Sequence, residues 1–502
     1  MASVLNEPIE TRLFINGEFQ FRDSSTKTTF DVVYPYTKEV VAQGMTPNKP
    51  RTNKIFSQSA PVQEATVEDV DDAVAAANAA FPAWRDLGTA QRGAYLHKLS
   101  KLILESNGEL AKLETLSTGR PISHFFDAAM AAETFGYFAT GGWSAQGTAS
   151  LNTPDHLNLT VKQPYGVAAL IIPWNFPLIM FAGKMAPALA AGNTVILKSS
   201  EKAPLTSLYV AKLIEKAGFP PGVINIISGH GNPAGAALSS HMKVRCISFT
   251  GSSLTGQKIQ AAAAKTNLKH VLMELGGKSP AIVFEDADLE AAAAQTQFSI
   301  QFNSGQVCVA NSRIYVHESV VEKFTRLFRE KFEAVQLGDP LDPSTSHGPQ
   351  IDVLQYNRIK EYLAIGEKDG KLTTGGDAND GYFVRPTIFE GVPEDSRLMR
   401  EEVFGPVVAI NTFSTEEEAI EKANDTEFGL YASVFTKDLD RAVRLAKALD
   451  AGTVGVNCTS PTNAKDGAFG GYKMSGSGRE GILYSLDNFL ETKTILIKTS
   501  KL

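Results

Sequence analysis

Apolar, β-branched runs alternate with amphipathic helical patterns through the middle of this chain. The apolar runs lie at residues 167–172, 195–197, 223–227, 244–249 and 271–275. Between them, apolar residues recur with helical spacing at residues 178–191, 205–217, 233–240 and 254–265. Strands that alternate with helices in this way predict βαβ units. The expected fold class is therefore α/β, with a parallel, doubly wound sheet.

Local signals mark where individual elements begin and end. Gly218, followed by Pro220 and Pro221, supplies a left-handed residue and a helix breaker after the second predicted helix. Upstream, Thr66 is a suitable N-cap for a helix whose apolar residues recur on one face. Residues 313–317 predict a further strand.

Two segments depart from this alternation. Residues 44–63 are rich in Pro, Asn, Ser and Thr and predict an exposed loop, to which the sequence assigns no function. Residues 492–501 alternate polar and apolar side chains and predict a half-buried strand. Because a lone terminal strand has an unpaired edge, we expect it to pair with a partner subunit.

Length and charge narrow the possible functions. A chain of 502 residues is too long for one hydrophobic core and predicts two or three domains. The formal net charge is −7, without a basic stripe, so nucleic acids and anionic membranes are unsuitable partners. The eight histidines lack the spacing of metal ligands, and no metal is expected.

The N-terminal composition and the cysteine content predict a cytoplasmic protein. The first residues contain neither a basic region nor an apolar region of the kind that signal peptides carry. No stretch of 18 or more apolar residues occurs, which argues against a membrane-spanning helix. Only three cysteines occur, an odd number that is too small for a disulfide framework.

Several familiar sequence motifs are either absent or lie in a sequence context that does not fit their usual function. Gly476, Gly478 and Gly481 form a G-x-G-x-x-G pattern, but no predicted strand precedes them. Gly229 and Gly231 do follow a strand, although no acidic residue lies about 20 residues further on, as the dinucleotide fingerprint requires. No G-x-S-x-G occurs, which removes the common serine-hydrolase motif.

Three short runs carry the candidate chemistry: Cys308 ends FNSGQVC, Glu274 lies in MELGGK, and Asn175 lies in PWNFP. Each residue alone has an ordinary alternative, namely a small buried cysteine, a plain glutamate or a turn asparagine. Together, however, a thiol nucleophile, a carboxylate base and an amide that can donate to an oxyanion are the parts that covalent acyl chemistry needs.

These runs resemble the aldehyde dehydrogenase superfamily, and the resemblance extends over nearly the whole chain. It implies a Rossmann-like doubly wound cofactor domain, an α/β catalytic domain and a small β oligomerisation flap. By this pattern the cofactor domain comprises residues 1–145 and 165–276, and the catalytic domain comprises residues 277–476. The flap comprises residues 146–164 and 484–502, and a homodimer or homotetramer is expected.

The resemblance also implies roles for the three candidate residues. Cys308 would attack the carbonyl of a small-molecule aldehyde, and Glu274 would act as the general base for the thiol or for the deacylating water. The Asn175 amide and the Cys308 N–H would hold the oxyanion. The aldehyde would then be oxidised to a carboxylic acid through a thiohemiacetal and a thioester.

NAD is the cofactor that the resemblance implies. Lys198 and Glu201 match the family's adenosine-ribose clamp, and the Glu201 carboxylate would repel the 2′-phosphate of NADP. Between them lies Ser199, where many members have proline. Gly251 and Ser252 match the family's phosphate loop, at a predicted helix N-terminus. The other residues expected at the cofactor are Ile172, Pro173, Trp174, Gly231, Phe249, Leu275, Glu402 and Phe404.

Two departures from the family bear on the substrate. Gly183 stands where small-aliphatic and retinal-type members often carry tryptophan, and Thr462 stands where many members have an aromatic residue. The resemblance therefore implies a wider, more polar entrance, without identifying the aldehyde. Two alternatives stay open: a CoA-acylating aldehyde dehydrogenase, which typically lacks the base, and a non-catalytic protein of the same fold.

Overall fold

The computed structural model of the chain describes residue 5 and residues 7–20, 29–42, 61–378, 381–462 and 464–499. Within this part the protein is built on two large, mainly parallel sheets and a small antiparallel sheet. The predicted exposed loop at residues 44–63 lies outside the described residues, apart from its last three positions.

The first large sheet has the doubly wound arrangement that the sequence predicts. Its strands lie in the spatial order Glu18–Gln20, Leu13–Ile15, Ile224–Gly229, Thr194–Ser200, Val167–Ile171, Val244–Thr250, His270–Glu274 and Gly476–Ser477. The strands from Ile224–Gly229 to His270–Glu274 are parallel, whereas the strands at either end are antiparallel to their neighbours. The strand order reverses between Val167–Ile171 and Val244–Thr250.

Helices cover both faces of this sheet. The predicted connecting helices are present as Pro177–Ala191, Leu205–Ala217, Ala236–Ser240 and Ser253–Lys265. Side chains at neighbouring positions of a strand pack on opposite faces of the sheet: Ile196 belongs to one apolar cluster and Leu197 to the other. Because both faces are buried, the strands read as continuous apolar runs, which is why they were visible in the sequence.

The predicted helix ends are confirmed. Gly218 has a φ of 81° after Leu205–Ala217. Thr66 begins the helix Val67–Asp86 with a capping box, in which its hydroxyl accepts from the Asp69 N–H and the Asp69 carboxylate accepts from the Thr66 N–H.

The second large sheet is also mainly parallel. Its strands lie in the order Lys371–Thr374, Thr387–Glu390, Val407–Phe413, Asn311–His317, Ser279–Val283, Tyr431–Phe435 and Thr453–Val456. Only Lys371–Thr374 is antiparallel to its neighbour within this described sheet. The strand predicted at residues 313–317 is confirmed as Asn311–His317, at the centre of this sheet.

The remaining elements complete the layers. Short strand pairs join Thr29–Phe30 to Val62–Gln63, Val32–Tyr34 to Glu39–Ala42, and Phe428–Gly429 to Tyr472–Lys473. The other α-helices are Thr89–Glu105, Asn107–Thr118, Asp127–Gly141, Leu289–Gln301, Val321–Glu333, Val353–Asp369, Arg397–Arg400, Glu416–Asn424 and Leu439–Ala448.

The C-terminal strand is present as Leu490–Lys498, but it is not alone. It pairs residue by residue with His156–Pro164 of the same chain, and Ala149–Ser150 completes this small antiparallel sheet. The expectation of a lone terminal strand is therefore wrong, because its inner edge pairs with residues 156–164 of the same chain. The other edge of Leu490–Lys498 stays an outer edge of the sheet, and Leu496 on this strand is 68% exposed.

Candidate active site

The predicted site residues gather where the first large sheet leads into the second. Glu274 ends the strand His270–Glu274, and the chain enters Ser279–Val283 of the second sheet directly after residues 275–278. Carboxyl ends of parallel strands share one edge of a sheet, and open α/β sheets bind ligands at that edge. The fold thus places Glu274 where a ligand is expected.

Glu274 is a buried carboxyl group, only 3% exposed. Apart from an interaction with the Cys308 thiol, neither carboxylate oxygen has a hydrogen-bond partner among the described protein groups. Burial, and next the negative charge of Glu480, raise the pKa of Glu274 to about 8. A carboxyl group with such a pKa can accept and release a proton near neutral pH.

Cys308 follows a tight turn at the end of the helix Leu289–Gln301. Asn303 and Ser304 have φ values of 48° and 53°, and Gly305 has 75°. A Cβ on Gly305 would lie 2.1 Å from the Gly405 carbonyl carbon, so only glycine fits there. The turn leaves Cys308 half-buried on the wall of a large cavity.

The Cys308 thiol is protonated at neutral pH. Burial of the sulfur and the negative charge of Glu274 hold the pKa of Cys308 well above its usual value. The Cys308 backbone N–H faces its own sulfur and favours the thiolate. Since the thiolate rather than the thiol is the nucleophile, this cysteine needs a base, and Glu274 is the group beside it.

Asn175 is tied to the turn that carries Cys308. Its side-chain amide donates to the Gln306 carbonyl at 3.0 Å, and the Asn303 amide donates to the Asn175 carbonyl at 3.2 Å. The amide nitrogen has two protons, and this bond uses one of them. The geometry therefore brings together the three groups that the sequence predicts, and it leaves the Asn175 amide able to donate to an oxyanion.

Glu402 and Phe404 lie on the opposite side of this group. The Gly277 N–H donates to Glu402 Oε1 at 2.9 Å, and burial raises the pKa of Glu402 to about 7. Phe404 has a φ of 58° and packs edge-on against Trp174, with 5.4 Å between the ring centroids. A non-glycine residue held in this region is strained, which is common at ligand sites.

Lys198 and Glu201 end the strand Thr194–Ser200 as predicted. Lys198 is buried, and its ammonium donates to the Ser199 carbonyl at 3.0 Å. Burial lowers the pKa of Lys198 to about 8, and the charges of Glu201 and Glu64 oppose that shift. The Ser199 hydroxyl lies 2.7 Å from the Ser228 hydroxyl inside the sheet, so serine at this position leaves the charged pair undisturbed.

Gly251 and Ser252 form the start of the helix Ser253–Lys265. The Ser252 hydroxyl accepts from the Thr255 N–H at 3.3 Å. A Cβ on Gly251 would lie 2.5 Å from the Phe249 ring, so the ring packs directly against this backbone. Gly231, after the strand Ile224–Gly229, has open space where its side chain would be. The N-terminus of a helix suits a pyrophosphate.

Four further residues that the resemblance assigns to the cofactor follow or end these strands. Ile172 and Leu275 each follow a strand of the first sheet directly, and both are buried. The Ile172 N–H donates to the Lys198 carbonyl at 3.2 Å. Pro173 and Trp174 continue this loop towards Asn175, so the loop joins the predicted cofactor residues to the oxyanion amide.

A cavity of about 870 Å³ leads to Cys308. Its walls include the aromatic side chains of Phe126, Phe176 and Phe302. Gly183 and Thr462 also line it, and a Cβ on Gly183 would meet no atom within 4 Å. The two positions whose small side chains suggested a wide entrance therefore do border the cavity.

Two charged residues beside Glu274 were missed by the sequence analysis. Lys184 is buried, and its ammonium donates to Glu480 Oε1 at 2.7 Å and to the Ser248 hydroxyl at 3.0 Å. Glu480 lines the cavity, and its charge raises the pKa of Glu274 whereas that of Lys184 lowers it. Lys184 looked like an ordinary helix lysine, and Glu480 lies within the G-x-G-x-x-G run that begins at Gly476, which had been rejected as a dinucleotide motif.

Other kinds of site are not found in the described part of the chain. The described residues contain no group of three or more His, Cys, Asp or Glu side chains placed to hold a metal ion. Among the described helices, none has both the length and the apolar character needed to cross a membrane.

Comparison with known proteins identifies extensive similarity. A family model described as the aldehyde dehydrogenase family matches residues 45–495. Retinal dehydrogenase 2 of Homo sapiens is 44% identical over 499 residues, covering 97% of this chain and 92% of that protein. An aldehyde dehydrogenase of Davidiella tassiana is 46% identical over 495 residues, covering 97% and 95%. The NAD+ complex of an aldehyde dehydrogenase from Bacillus cereus superposes with a TM-score of 0.91 at 40% identity, covering 99% of this chain and 97% of that one.

Replacing Glu480 should change the acidity of Glu274. In Glu480→Gln a negative charge is lost and Lys184 keeps its positive charge, so the pKa of Glu274 should fall below about 8. The rate of Cys308 alkylation by iodoacetamide should then begin to rise at a lower pH. Subtracting the rate of a Cys308→Ala variant removes alkylation of the other thiols. An inflection that stays in place or moves to higher pH would contradict the coupling.

Proposed function

The chain belongs to the aldehyde dehydrogenase family, and we propose that it oxidises an aldehyde to the carboxylic acid with NAD, using Cys308, Glu274 and Asn175. The single observation that carries the site assignment is the contact between a protonated, half-buried thiol and a buried carboxyl group of raised pKa. A thiol of this kind is inert without a base. Each of the two groups therefore has a chemical use only beside the other.

The residues at the carboxyl edge of the first sheet fit NAD. Glu201 would bind the adenosine ribose together with Lys198, and the backbone at Gly251 and Ser252 would face the pyrophosphate. On the other side, Glu402 would bind the second ribose. When bound, NAD supplies the acceptor for the two electrons that leave the aldehyde carbon. These assignments are supported by the helix N-terminus at Ser252, the open space at Gly231 and the buried charge of Lys198.

Acylation begins with a proton transfer. Glu274 accepts the thiol proton of Cys308, and the sulfur forms a bond to the carbonyl carbon of the aldehyde. The carbonyl oxygen becomes an oxyanion, which the Asn175 amide and the Cys308 N–H stabilise. Loss of one such donor typically costs about 2.7–4 kcal/mol of transition-state stabilisation. As the oxyanion collapses to a carbonyl, the carbon loses its hydrogen with two electrons, and a thioester remains on Cys308.

Deacylation uses the same residues again. Glu274 removes a proton from a water molecule, whose oxygen attacks the thioester carbon, and the same two donors hold the second oxyanion. The carbon–sulfur bond breaks, the carboxylic acid leaves, and the thiol of Cys308 recovers a proton. A pKa of about 8 lets Glu274 give up its proton between these two steps.

The two alternative functions make different predictions. A CoA-acylating enzyme would pass the acyl group to a thiol and would have no need of a base, whereas Glu274 is present and lies beside Cys308. A non-catalytic protein of the same fold would form no NADH with any aldehyde. Assaying NADH formation and identifying the product as acid or acyl-CoA separates all three.

We further propose the domain division, assembly and location that the family pattern suggests. Residues 1–145 and 165–276 contain most strands of the first sheet, and residues 277–476 contain the second sheet. The small sheet of residues 146–164 and 484–502 has an exposed outer edge, which would pair with a second subunit in a homodimer or homotetramer. A cytoplasmic location would keep the free thiol of Cys308 reduced.

For the substrate, we propose a bulky, largely apolar aldehyde, because the cavity lining is mainly apolar and not the more polar one that the resemblance implied. The aromatic walls of the cavity favour apolar groups, and its volume falls in the upper part of the range of about 300–1,000 Å³ typical of ligand pockets. Gly183 leaves open the space that a large side chain would fill. The similarity to retinal dehydrogenase 2 is consistent with a large aldehyde.

The nucleophile and the base can be tested separately. Cys308→Ala should abolish aldehyde oxidation and leave NAD binding measurable by calorimetry, because only the covalent bond is lost. Glu274→Gln should suppress NADH formation and also slow alkylation of Cys308 by iodoacetamide at neutral pH, because neither the thiol nor the attacking water then has a base. Substantial turnover by Cys308→Ala would contradict the assignment.

The cofactor preference should depend on Glu201. Glu201→Gln should raise the kcat/KM ratio of NADP to NAD by about tenfold or more, since a carboxylate facing the 2′-phosphate repels it. Steady-state kinetics with both cofactors measure the ratio. If the unsubstituted enzyme already uses NADP and NAD with similar kcat/KM, Glu201 does not exclude NADP by repelling its 2′-phosphate.

The width of the cavity should depend on Gly183. Gly183→Trp should lower kcat/KM for large aldehydes and spare acetaldehyde, with roughly 1–3 kcal/mol at stake for each methylene group. Gly108→Trp is a matched control, because Gly108 is exposed, also has open space and lies on the helix Asn107–Thr118 outside the cavity lining. Thermal melting of both variants separates overpacking from a change of specificity. A stable Gly183→Trp variant with the size preference of the unsubstituted enzyme would remove Gly183 from the channel.

A further inference from the structure

A buried ionic cluster lies behind the loop that carries Asn175, and the chemistry above does not use it. Arg120 is 2% exposed, and its Nη2 donates to Glu114 Oε1 at 2.9 Å and to Asp127 Oδ2 at 2.5 Å. Both carboxyl groups are fully buried. Burying three ionisable groups costs free energy that their attraction does not always recover. Stability alone is therefore a weak explanation for the cluster.

Arg120 is held between two acidic side chains. Burial and the neighbouring charge of Asp127 hold the pKa of Glu114 well above its usual value. Two hydrogen bonds from one guanidinium nitrogen to two different elements, the helices Asn107–Thr118 and Asp127–Gly141, fix the orientation of the guanidinium plane.

The fixed guanidinium lies over the ring of Phe176. The distance from its central carbon to the ring centroid is 4.8 Å, which is a close cation–π contact. Phe176 directly follows Asn175 in the chain. The Phe176 ring also stacks with the Phe302 ring, with 5.9 Å between the ring centroids and 20° between the ring planes. Phe302 opens the turn that leads to Cys308.

Phe176 therefore lies between the oxyanion loop and the nucleophile turn. Two hydrogen bonds also join these segments: the Asn175 amide donates to the Gln306 carbonyl, and the Asn303 amide donates to the Asn175 carbonyl. The position of the Asn175 amide relative to the sulfur thus depends on two hydrogen bonds and one stacked ring. Arg120 is the charged group that contacts this ring.

We propose that Arg120 is a positioning residue for the reaction: by holding the Phe176 ring, it keeps the Asn175 amide aligned with the oxyanion formed at Cys308. This inference rests on the proposed function of Asn175. It implies that Arg120 affects the steps that develop an oxyanion and leaves NAD binding and thiol reactivity unchanged.

The first test is Arg120→Met, which removes the cation and keeps an apolar side chain. We expect kcat for aldehyde oxidation to fall by about 10- to 100-fold, because misplacement of a reacting group by about 1 Å has an effect of this size. The NAD dissociation constant from calorimetry and the alkylation rate of Cys308 by iodoacetamide should stay unchanged. Losses in all three would show general damage and overturn the proposal.

Arg92→Met is the matched control for stability. Arg92 is also buried and donates to the carbonyls of Leu87 and Ala190, away from the oxyanion loop. We expect it to lower the melting temperature without lowering kcat. If Arg92→Met lowers kcat as much as Arg120→Met at a similar loss of melting temperature, the effect is one of stability and the proposal fails.

The decisive experiment combines these changes with Asn175→Ala. If Arg120 acts through the Asn175 amide, Arg120→Met should cause little further loss of kcat in the Asn175→Ala background. An equal fold-loss in both backgrounds would overturn the proposal. Should Arg120→Met fail to fold, Phe176→Leu takes its place, because it removes the aromatic face and keeps the ionic cluster intact. A failure of the proposed function itself would appear earlier, as an unsubstituted protein without aldehyde oxidation.

Discussion

The contact between the Glu274 carboxyl group and the Cys308 thiol is the interaction on which the rest of this site depends. Burial disfavours both anions, and the negative charge of Glu274 raises the pKa of the Cys308 thiol further. The pair can therefore hold one negative charge but not two. The thiolate forms only when the ionised Glu274 carboxylate takes up the proton of the Cys308 thiol. The negative charge then passes from the sulfur to the substrate oxygen. In the proposed mechanism, the Asn175 amide donates to that oxygen.

The topology of the chain supplies this contact from distant parts of the sequence. Glu274 comes from the last parallel strand of the first sheet, and Cys308 precedes the central strand of the second. Because the segment between the sheets is only residues 275–278, the edge of one sheet is held against the other. Gly305 allows a backbone approach that any Cβ would prevent. The active site is thus a consequence of how closely two sheets are joined.

The sequence predicted the elements whose signal is local. The strands of the first sheet are buried on both faces and appear as apolar runs, and Gly218 and Thr66 mark helix ends through their own backbone and side-chain bonds. Cys308, Glu274 and Asn175 were found because short runs around them match a family. Lys184 and Glu480 gave no such signal, since their pairing joins residues far apart in the chain. The residue pattern predicted the C-terminal strand itself, and only the resemblance to the family grouped residues 146–164 with it in one flap.

The chemistry and the substrate preference depend on different kinds of contact. The reacting groups are fixed by hydrogen bonds between buried backbone and amide groups, such as the bond from Asn175 to Gln306, and these allow little variation. The cavity, in contrast, is shaped at Gly183 by the absence of a side chain, and nothing within 4 Å would oppose a larger one. Residues of this second kind can change without disturbing the first. A substitution at Gly183 can therefore change which aldehydes enter the cavity, whereas a change at a wall residue such as Glu480 also changes the pKa of Glu274.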